Sequence, residues 1–403
     1  MPIALLAIAS VSLAVWLYLA IARGRFWRLN QFNDDLANHE APSAWPSVIA
    51  IVPARNEAAT IAQALASLLK QNYAGEFSVI AVDDHSEDGT AQIAKQAARD
   101  LNAEPRIEIR SATPLPAGWT GKLWALNEGV SPAGAAASGN RRGAAPLRPS
   151  LATHYYWFTD ADVSHAPDTL QRLVTRAERN HLDLTSLMVL LQAKTLPERA
   201  LIPAFLFFFL KLYPPSWTAN PKARTAGAAG GCILLRSEAL QRIGGLAAIR
   251  SEVIDDCALA HAVKSSNGRI WMGLTRTNVS LRAYTAFREI RDMIARTAFT
   301  QLQYSPLLLI GTLLAMFITY LAPIALLFAH DSAPRILAAS TWLLMSLLYL
   351  PTIRFYRLSP IWAATLPFTA LFYTYATCLS AARYYLGRGA QWKGRSQTSR
   401  LSQ

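Results

Sequence analysis

Charge is scarce in this chain. Of its 403 residues only 16% are Asp, Glu, Lys or Arg, against roughly 25% in ordinary soluble domains. That shortage argues against a wholly solvated globule and for a soluble domain joined to membrane segments. Cysteine is almost missing. Cys232, Cys257 and Cys378 show neither a disulfide framework nor zinc spacing, so they read as small buried or membrane residues in a chain whose soluble part meets a reducing compartment. Acidic residues are outnumbered by basic ones, 26 to 39, for a formal net charge of +13. No basic stretch interleaved with aromatics stands out, so the excess points to a membrane-facing surface and not to nucleic acid.

What the chain has instead is apolar sequence, 52% of its residues. Met1 to Ala22 carries no charged side chain, and Arg23, Arg25 and Arg28 come directly after it. The run is long enough to span a bilayer and lacks the basic leader of a secretory signal. It reads as an uncleaved anchor over 1–22, and its flanking arginines place the next part of the chain on the cytoplasmic side. Ser305 to Ala329, Ile336 to Ile353 and Leu358 to Ala382 are uncharged but for their flanks, and each is long enough to span; they make 304–382 a membrane region. Alternation then puts the tail 383–403 outside, whereas Arg383, Arg388, Lys393, Arg395 and Arg400 in that basic tail argue for inside. The conflict stays open. Ala200 to Leu210, uncharged and rich in phenylalanine, is too short to span. It predicts an interfacial segment within 196–215, with a buried core helix as the alternative.

Between these regions, after a linker over 23–46, lies a domain over 47–303. Ser47–Pro53, Phe77–Val82 and Tyr155–Phe158 are near-continuous apolar runs, the pattern of strands covered on both faces. Ile61, Leu65, Leu68 and Leu69 recur at helical spacing between the first two. The strand–helix alternation predicts an α/β fold with a mainly parallel, doubly wound sheet. Ligands of such sheets bind beyond the carboxyl ends of the strands. Residues 131–150, low in complexity, read as a flexible insertion.

Acidic residues gather at those strand ends. Asp83 and Asp84 follow the second strand, and Asp160-Ala161-Asp162 follows the Tyr155 strand. In an extended chain, residues i and i+2 point to one side. Two carboxylates there are costly unless a cation lies between them. Mg²⁺ takes oxygen ligands, commonly one or two carboxylates with substrate phosphates, so the pair predicts a metal–diphosphate site; a polar loop is the plainer alternative. Lys122 stands at a helix start, where the dipole disfavours a cation unless an anion binds; a solvated lysine is the alternative. Asp255-Asp256 opens another helix, which alone is ordinary capping. Ala226 to Cys232, rich in Gly, lets backbone approach a ligand closely.

Five motifs then stand in order: Val52-Pro53-Ala54-Arg55-Asn56-Glu57, Val82-Asp83-Asp84-His85-Ser86-Glu87-Asp88-Gly89-Thr90, Gly121-Lys122, Asp160-Ala161-Asp162 and Asp255-Asp256. With them the stretch from Ser47 to about Thr300 resembles the family 2 glycosyltransferases, whose nucleotide-diphospho-sugar-binding fold is called GT-A. The whole chain looks most like the bacterial hopene-associated glycosyltransferases, through Pro116 to Lys122, Thr159 to Asp162, Arg296 to Leu302, Gln391 to Arg395, the anchor and the C-terminal transmembrane runs.

The resemblance implies roles. Pro53, Arg55 and Glu57 line the nucleotide pocket. Asp83 accepts from the base, and Asp84 supports its loop. Lys122 meets the nucleotide or diphosphate, helped by Arg296. Asp160 and Asp162 hold a divalent cation, Mg²⁺ or Mn²⁺, the second usually by direct ligation. Asp256 is the general base, with Asp255 beside it. The implied activity is inverting transfer of a sugar from a nucleotide-diphospho-sugar, a UDP-sugar by default, to a lipid hydroxyl. The implied setting is the bacterial inner membrane, multi-pass, with the catalytic domain cytoplasmic and a link to hopanoid biosynthesis. Two features depart from the family. Asp255-Asp256 replaces the usual Glu-Asp, and no Trp follows Arg291 or Arg296, which weakens a polysaccharide-synthase reading. A polyprenyl-phosphate or sphingoid acceptor, and a membrane scaffold with a decayed donor pocket, stay as alternatives.

Overall fold

The computed structural model describes residues 2–29, 42, 44–131, 153–387, 391–392 and 395–396. Most of the expected linker 23–46, the insertion 131–150 beyond Ser131, and the basic tail beyond Gly387 apart from two residue pairs lie outside the described residues. The chain divides into two compact units. One comprises Phe32–Leu191, Thr218–Ala283 and Gln391–Gln403; the other comprises Met1–Gln31, Gln192–Trp217 and Tyr284–Ala390.

The first unit is built on an eight-stranded sheet. Its strands are β1 (Val48–Ala54), β2 (Phe77–Asp83), β3 (Ile107–Ser111), β4 (Tyr155–Phe158), β5 (Val163–Ser164), β6 (Leu184–Leu190), β7 (Ile233–Arg236) and β8 (Ile270–Ser280). Their order is β3-β2-β1-β4-β7-β6-β8-β5. β1 pairs in parallel with β2 on one side and β4 on the other, and β2 with β3. β7 enters antiparallel between β4 and β6, and β8 runs parallel to β6.

Every residue of β1 is buried, and the two-residue period of a strand explains how. Val48, Ala50 and Val52 face one core with Ile61, Leu65 and Leu68 of the helix Ile61–Leu69. Ile49 and Ile51 face the other, with Leu123 and Leu126 of the helix Gly121–Val130 and Leu259 of the helix Asp255–Ser265. Helices on both faces make the doubly wound arrangement expected from the apolar runs. Gly129 seats its helix on the sheet, since a β-carbon there would fall 2.4 Å from Ile51 Cγ2.

The second unit is helical. Among the described residues four helices are long and apolar enough to cross a membrane: Ile3–Ile21, Leu196–Ala219, Pro306–Leu326 and Ser332–Phe355. Aromatic packing knits them. Trp16 stands edge-on to Tyr320 at 5.5 Å and donates its ring N–H to the Thr319 carbonyl at 2.7 Å, and Phe207 meets Tyr349 at 5.1 Å.

Two apolar runs differ from their sequence reading. The short run Ala200 to Leu210 sits inside a longer helix, Leu196–Leu212. Thr195 and Glu198 start that helix as a reciprocal cap ahead of the uncharged stretch. The last run, from Leu358, breaks into a 3₁₀ turn, Pro360–Thr365, and a helix, Leu366–Tyr385. That helix is not among the four, because tyrosines, threonines and Arg383 dilute its apolar residues.

Candidate functional site

β1 and β2 end side by side, Ala54 opposite Asp83, and the loops that leave them are stitched together. Arg55 Nη1 donates to the Asp84 carbonyl and lies 3.6 Å from the fully buried Asp84 carboxylate. Asn56 N–H donates to Ser86 Oγ at 2.9 Å, Glu87 N–H to Asn56 Oδ1 at 3.0 Å, and Glu57 N–H to Thr90 Oγ1 at 2.8 Å. Both Asn56 and His85 take positive φ, 52° and 54°, which turns the two loops sharply off the sheet.

Asp83 is buried at the end of β2. Its Oδ2 accepts from Ser86 N–H at 3.3 Å, while its Oδ1 is buried without a hydrogen-bond partner. A buried acceptor left so costs free energy. It is the kind of atom that a ligand N–H would satisfy.

A second cluster forms where β4 ends and two helices begin. Lys122 Nζ lies 3.0 Å from Asp160 Oδ1 and 3.1 Å from Asp255 Oδ2. Burial works against the ammonium charge, but Asp160, Asp255 and Asp256 outweigh it and hold Lys122 well above the ordinary lysine range. The cation at a helix start is thus already answered by the chain's own carboxylates. Asp256 Oδ2 accepts from Gly230 N–H at 2.8 Å and Oδ1 from Cys257 N–H at 2.7 Å. Burial first, then the charge of Asp255, push its carboxyl up to about 6, against the opposing pull of Lys122 and those two N–H groups.

Pro53, Lys122, Asp160, Asp255 and Asp256 line one cleft. Arg55, Glu57, Asp83 and Asp84 belong to the neighbouring loops. Asp162 departs from the extended-chain argument. Residues 161–162 form a turn closed by Val163 N–H on the Asp160 carbonyl at 3.3 Å, and the Asp162 carbonyl accepts from Leu281 N–H at 2.7 Å. Alternation along a strand therefore does not align the two carboxylates. Arg296 lies in the helical unit, exposed, at the end of the helix Phe287–Ala295.

The donor set suits a hard divalent cation. Lys122 faces three carboxylates, so acidic charge is in excess, and all the donors are oxygens. Among the described residues no group of three or more His, Cys, Asp or Glu would hold a metal by itself.

Three residues carry no clear signal in the sequence. Gly230 is legible only as part of a glycine-rich stretch. A β-carbon there would stand 3.1 Å from Lys122 Nζ and 3.3 Å from Asp256 Oδ2. Thr159 enters the sequence reading only as the lead-in to the Asp160 motif, and His165 not at all, yet both are buried beside the Asp160 turn.

Known proteins share features of this chain. The family model described as glycosyl transferase family 2 matches residues 49–244, and that described as glycosyl transferase family 21 matches residues 147–400. No curated protein matches the chain. Among solved structures, the mannosyltransferase PcManGT from Pyrobaculum calidifontis, in complex with GDP-Man and Mn²⁺, is similar over 94% of this chain and 99% of its own, at 18% identity and a TM-score of 0.58. A TarS fragment from S. aureus in complex with UDP covers 85% of this chain and 92% of its own, at 15% identity and a TM-score of 0.38. The likeness to the first is one of fold.

Proposed function

The chain belongs to glycosyl transferase family 21, whose model covers more than half of it, and is a GT-A glycosyltransferase using a nucleotide-sugar donor; from that premise we propose that it moves the sugar, with inversion, onto the hydroxyl of a lipid at the bacterial inner membrane. The observation that carries the chemistry is the cluster of Lys122, Asp160, Asp255 and Asp256 at the carboxyl edge of the sheet. The four apolar helices support the lipid acceptor. The catalytic unit then faces the cytoplasm, where nucleotide sugars are made, and a hopanoid or hopanoid precursor is the acceptor that the sequence resemblance favours.

Each residue has a task in this reading. Asp256, its carboxyl raised toward neutrality, takes the proton of the attacking hydroxyl. Asp255 anchors Lys122, which exchanges a carboxylate for a diphosphate oxygen as the donor arrives. Asp160 and Asp162 would hold Mg²⁺ or Mn²⁺ together with the donor phosphates, and that ion supplies charge neutralisation for the leaving diphosphate. Asp83 Oδ1 accepts an N–H of the base, which satisfies the orphaned atom. Arg55 and Asp84 brace that loop, and Pro53 and Glu57 bound the nucleotide pocket.

Lipid profiling of a deletion strain against wild type tests the acceptor. Loss of one glycosylated hopanoid is the expected result. Loss of a glycosylated polyprenyl phosphate or sphingoid lipid would replace the acceptor assignment, and an unchanged glycolipid profile would overturn it.

A further inference from the structure

Buried next to the Asp160 turn is a side-chain pair that the chemistry above does not use. His165 Nε2 lies 2.7 Å from Thr159 Oγ1, and Thr159 Oγ1 lies 3.0 Å from the Gly231 carbonyl. A hydroxyl has one hydrogen to give, and a carbonyl only accepts. The Thr159 hydrogen therefore goes to Gly231, and Thr159 must accept from His165. The imidazole hydrogen is thereby assigned to Nε2. The other ring nitrogen, Nδ1, then carries the lone pair, and it is buried without a hydrogen-bond partner among the described residues. Burial also pushes the His165 pKa down to about 3, with a smaller opposing pull from Asp160. The ring is held on its remaining side by Trp157, 4.6 Å between centroids, and its backbone N–H donates to Ser67 Oγ at 3.0 Å.

The chain of bonds has a direction. Gly231 is the neighbour of Gly230, whose N–H holds Asp256 Oδ2 at 2.8 Å. Thr159 is the residue before Asp160. One hydroxyl thus ties the turn carrying Asp160 to the residue next to the one whose N–H holds Asp256, and the imidazole sets which way that hydroxyl points. We propose that Thr159 and His165 are positioning residues for the transfer, holding the two-residue backbone segment Gly230–Gly231 from its far carbonyl and through its near N–H the Asp256 carboxylate relative to Asp160. The proposal rests on the reading of Asp256 as general base.

The test is a set of variants of the full-length protein in detergent or nanodiscs, assayed for turnover and for donor KM. Thr159→Val keeps the shape and removes the hydroxyl; His165→Leu removes the donor. Each should lower kcat by roughly 10- to 100-fold, the scale of a small misplacement of a reacting group, with donor KM within about threefold of wild type. Thr159→Ser and His165→Gln, which keep the hydroxyl and an N–H donor near Nε2, should recover most of the loss. In an Asp256→Asn background Thr159→Val should cost nothing further, because residues acting through one group are not additive. If Thr159→Val does not fold, Thr159→Ala carries the same comparison. Wild-type turnover in the Val and Leu variants, Ser and Gln variants as impaired as these, or an undiminished loss in the Asp256→Asn background would each overturn the proposal. An Asp256→Asn single variant with full activity would instead overturn the general-base reading, a result separate from the Thr159 and His165 singles.

Discussion

Two pairs of adjacent aspartates stand at the edge of the same sheet, and they are wired alike. In each, one carboxylate is committed to a cation: Asp84 to Arg55 and Asp255 to Lys122. In each, the other is left over. Asp83 keeps an oxygen with no partner, while Asp256 has both oxygens on backbone N–H groups and a carboxyl raised to about 6. The difference lies in the surroundings of each remainder. Asp83 lacks a hydrogen-bond donor, which a ligand supplies; Asp256 is buried beside the charge of Asp255, and together these outweigh Lys122 and make it ready to take a proton. A shared layout thus produces one binding atom and one base.

That contrast can be broken from either side. The largest effect is expected at Asp256→Asn. Turnover should fall about 10²- to 10⁴-fold, the usual worth of a general base, with donor affinity kept; steady-state kinetics beside calorimetric donor titration separates the two. Lys122→Met comes next. It leaves Asp160 and Asp255 facing each other without their shared cation, so turnover should drop roughly 100-fold, with a lower melting temperature at neutral pH that recovers partly in acid. A variant as stable and active as wild type would remove Lys122 from the centre of the site.

Asp83→Asn should act on binding instead. Losing one charged acceptor is worth about 1.5–3 kcal/mol, so donor KM should rise roughly 10- to 100-fold with kcat nearly unchanged. A fall in kcat at constant KM would erase the distinction between the two pairs. The mildest effect is that of pH. Asp256 must be ionised to accept a proton, and its pKa lies near 6. Activity should therefore be level above that value and fall about tenfold per unit below it. The acid limb should be absent from the residual activity of Asp256→Asn.

The strand ends and their acids were legible because buried parallel strands leave continuous apolar runs, and polar motifs then interrupt them abruptly. Val48 to Ala54 and its neighbours were visible for that reason. Other features depend on distances the linear chain does not display. The bond from Thr159 to Gly231 crosses 72 positions. Lys122 meets its carboxylates only after three separate loops converge, so its place at a helix start read as a vacancy for a ligand. The i, i+2 argument for Asp160 and Asp162 fails because alternation was applied to residues that turn. The antiparallel direction of β7 follows from the long return segment and not from its four residues.

That return segment decides a matter of parity. Leu196–Ala219 is long and apolar enough to cross a membrane, yet β6 before it and β7 and β8 after it are hydrogen-bonded in one sheet. A full crossing would leave the two halves of that sheet on opposite sides. The segment therefore begins and ends on one side and contributes no crossing. If Pro306–Leu326 and Ser332–Phe355 both cross, they make an out-and-back pair, and the chain after Phe355 returns to the side from which Pro306 set out. Single cysteines introduced as Asn220→Cys and Ser396→Cys, in a Cys378→Ser background, should react with an impermeant thiol reagent from the same face; labelling from opposite faces would refute the parity.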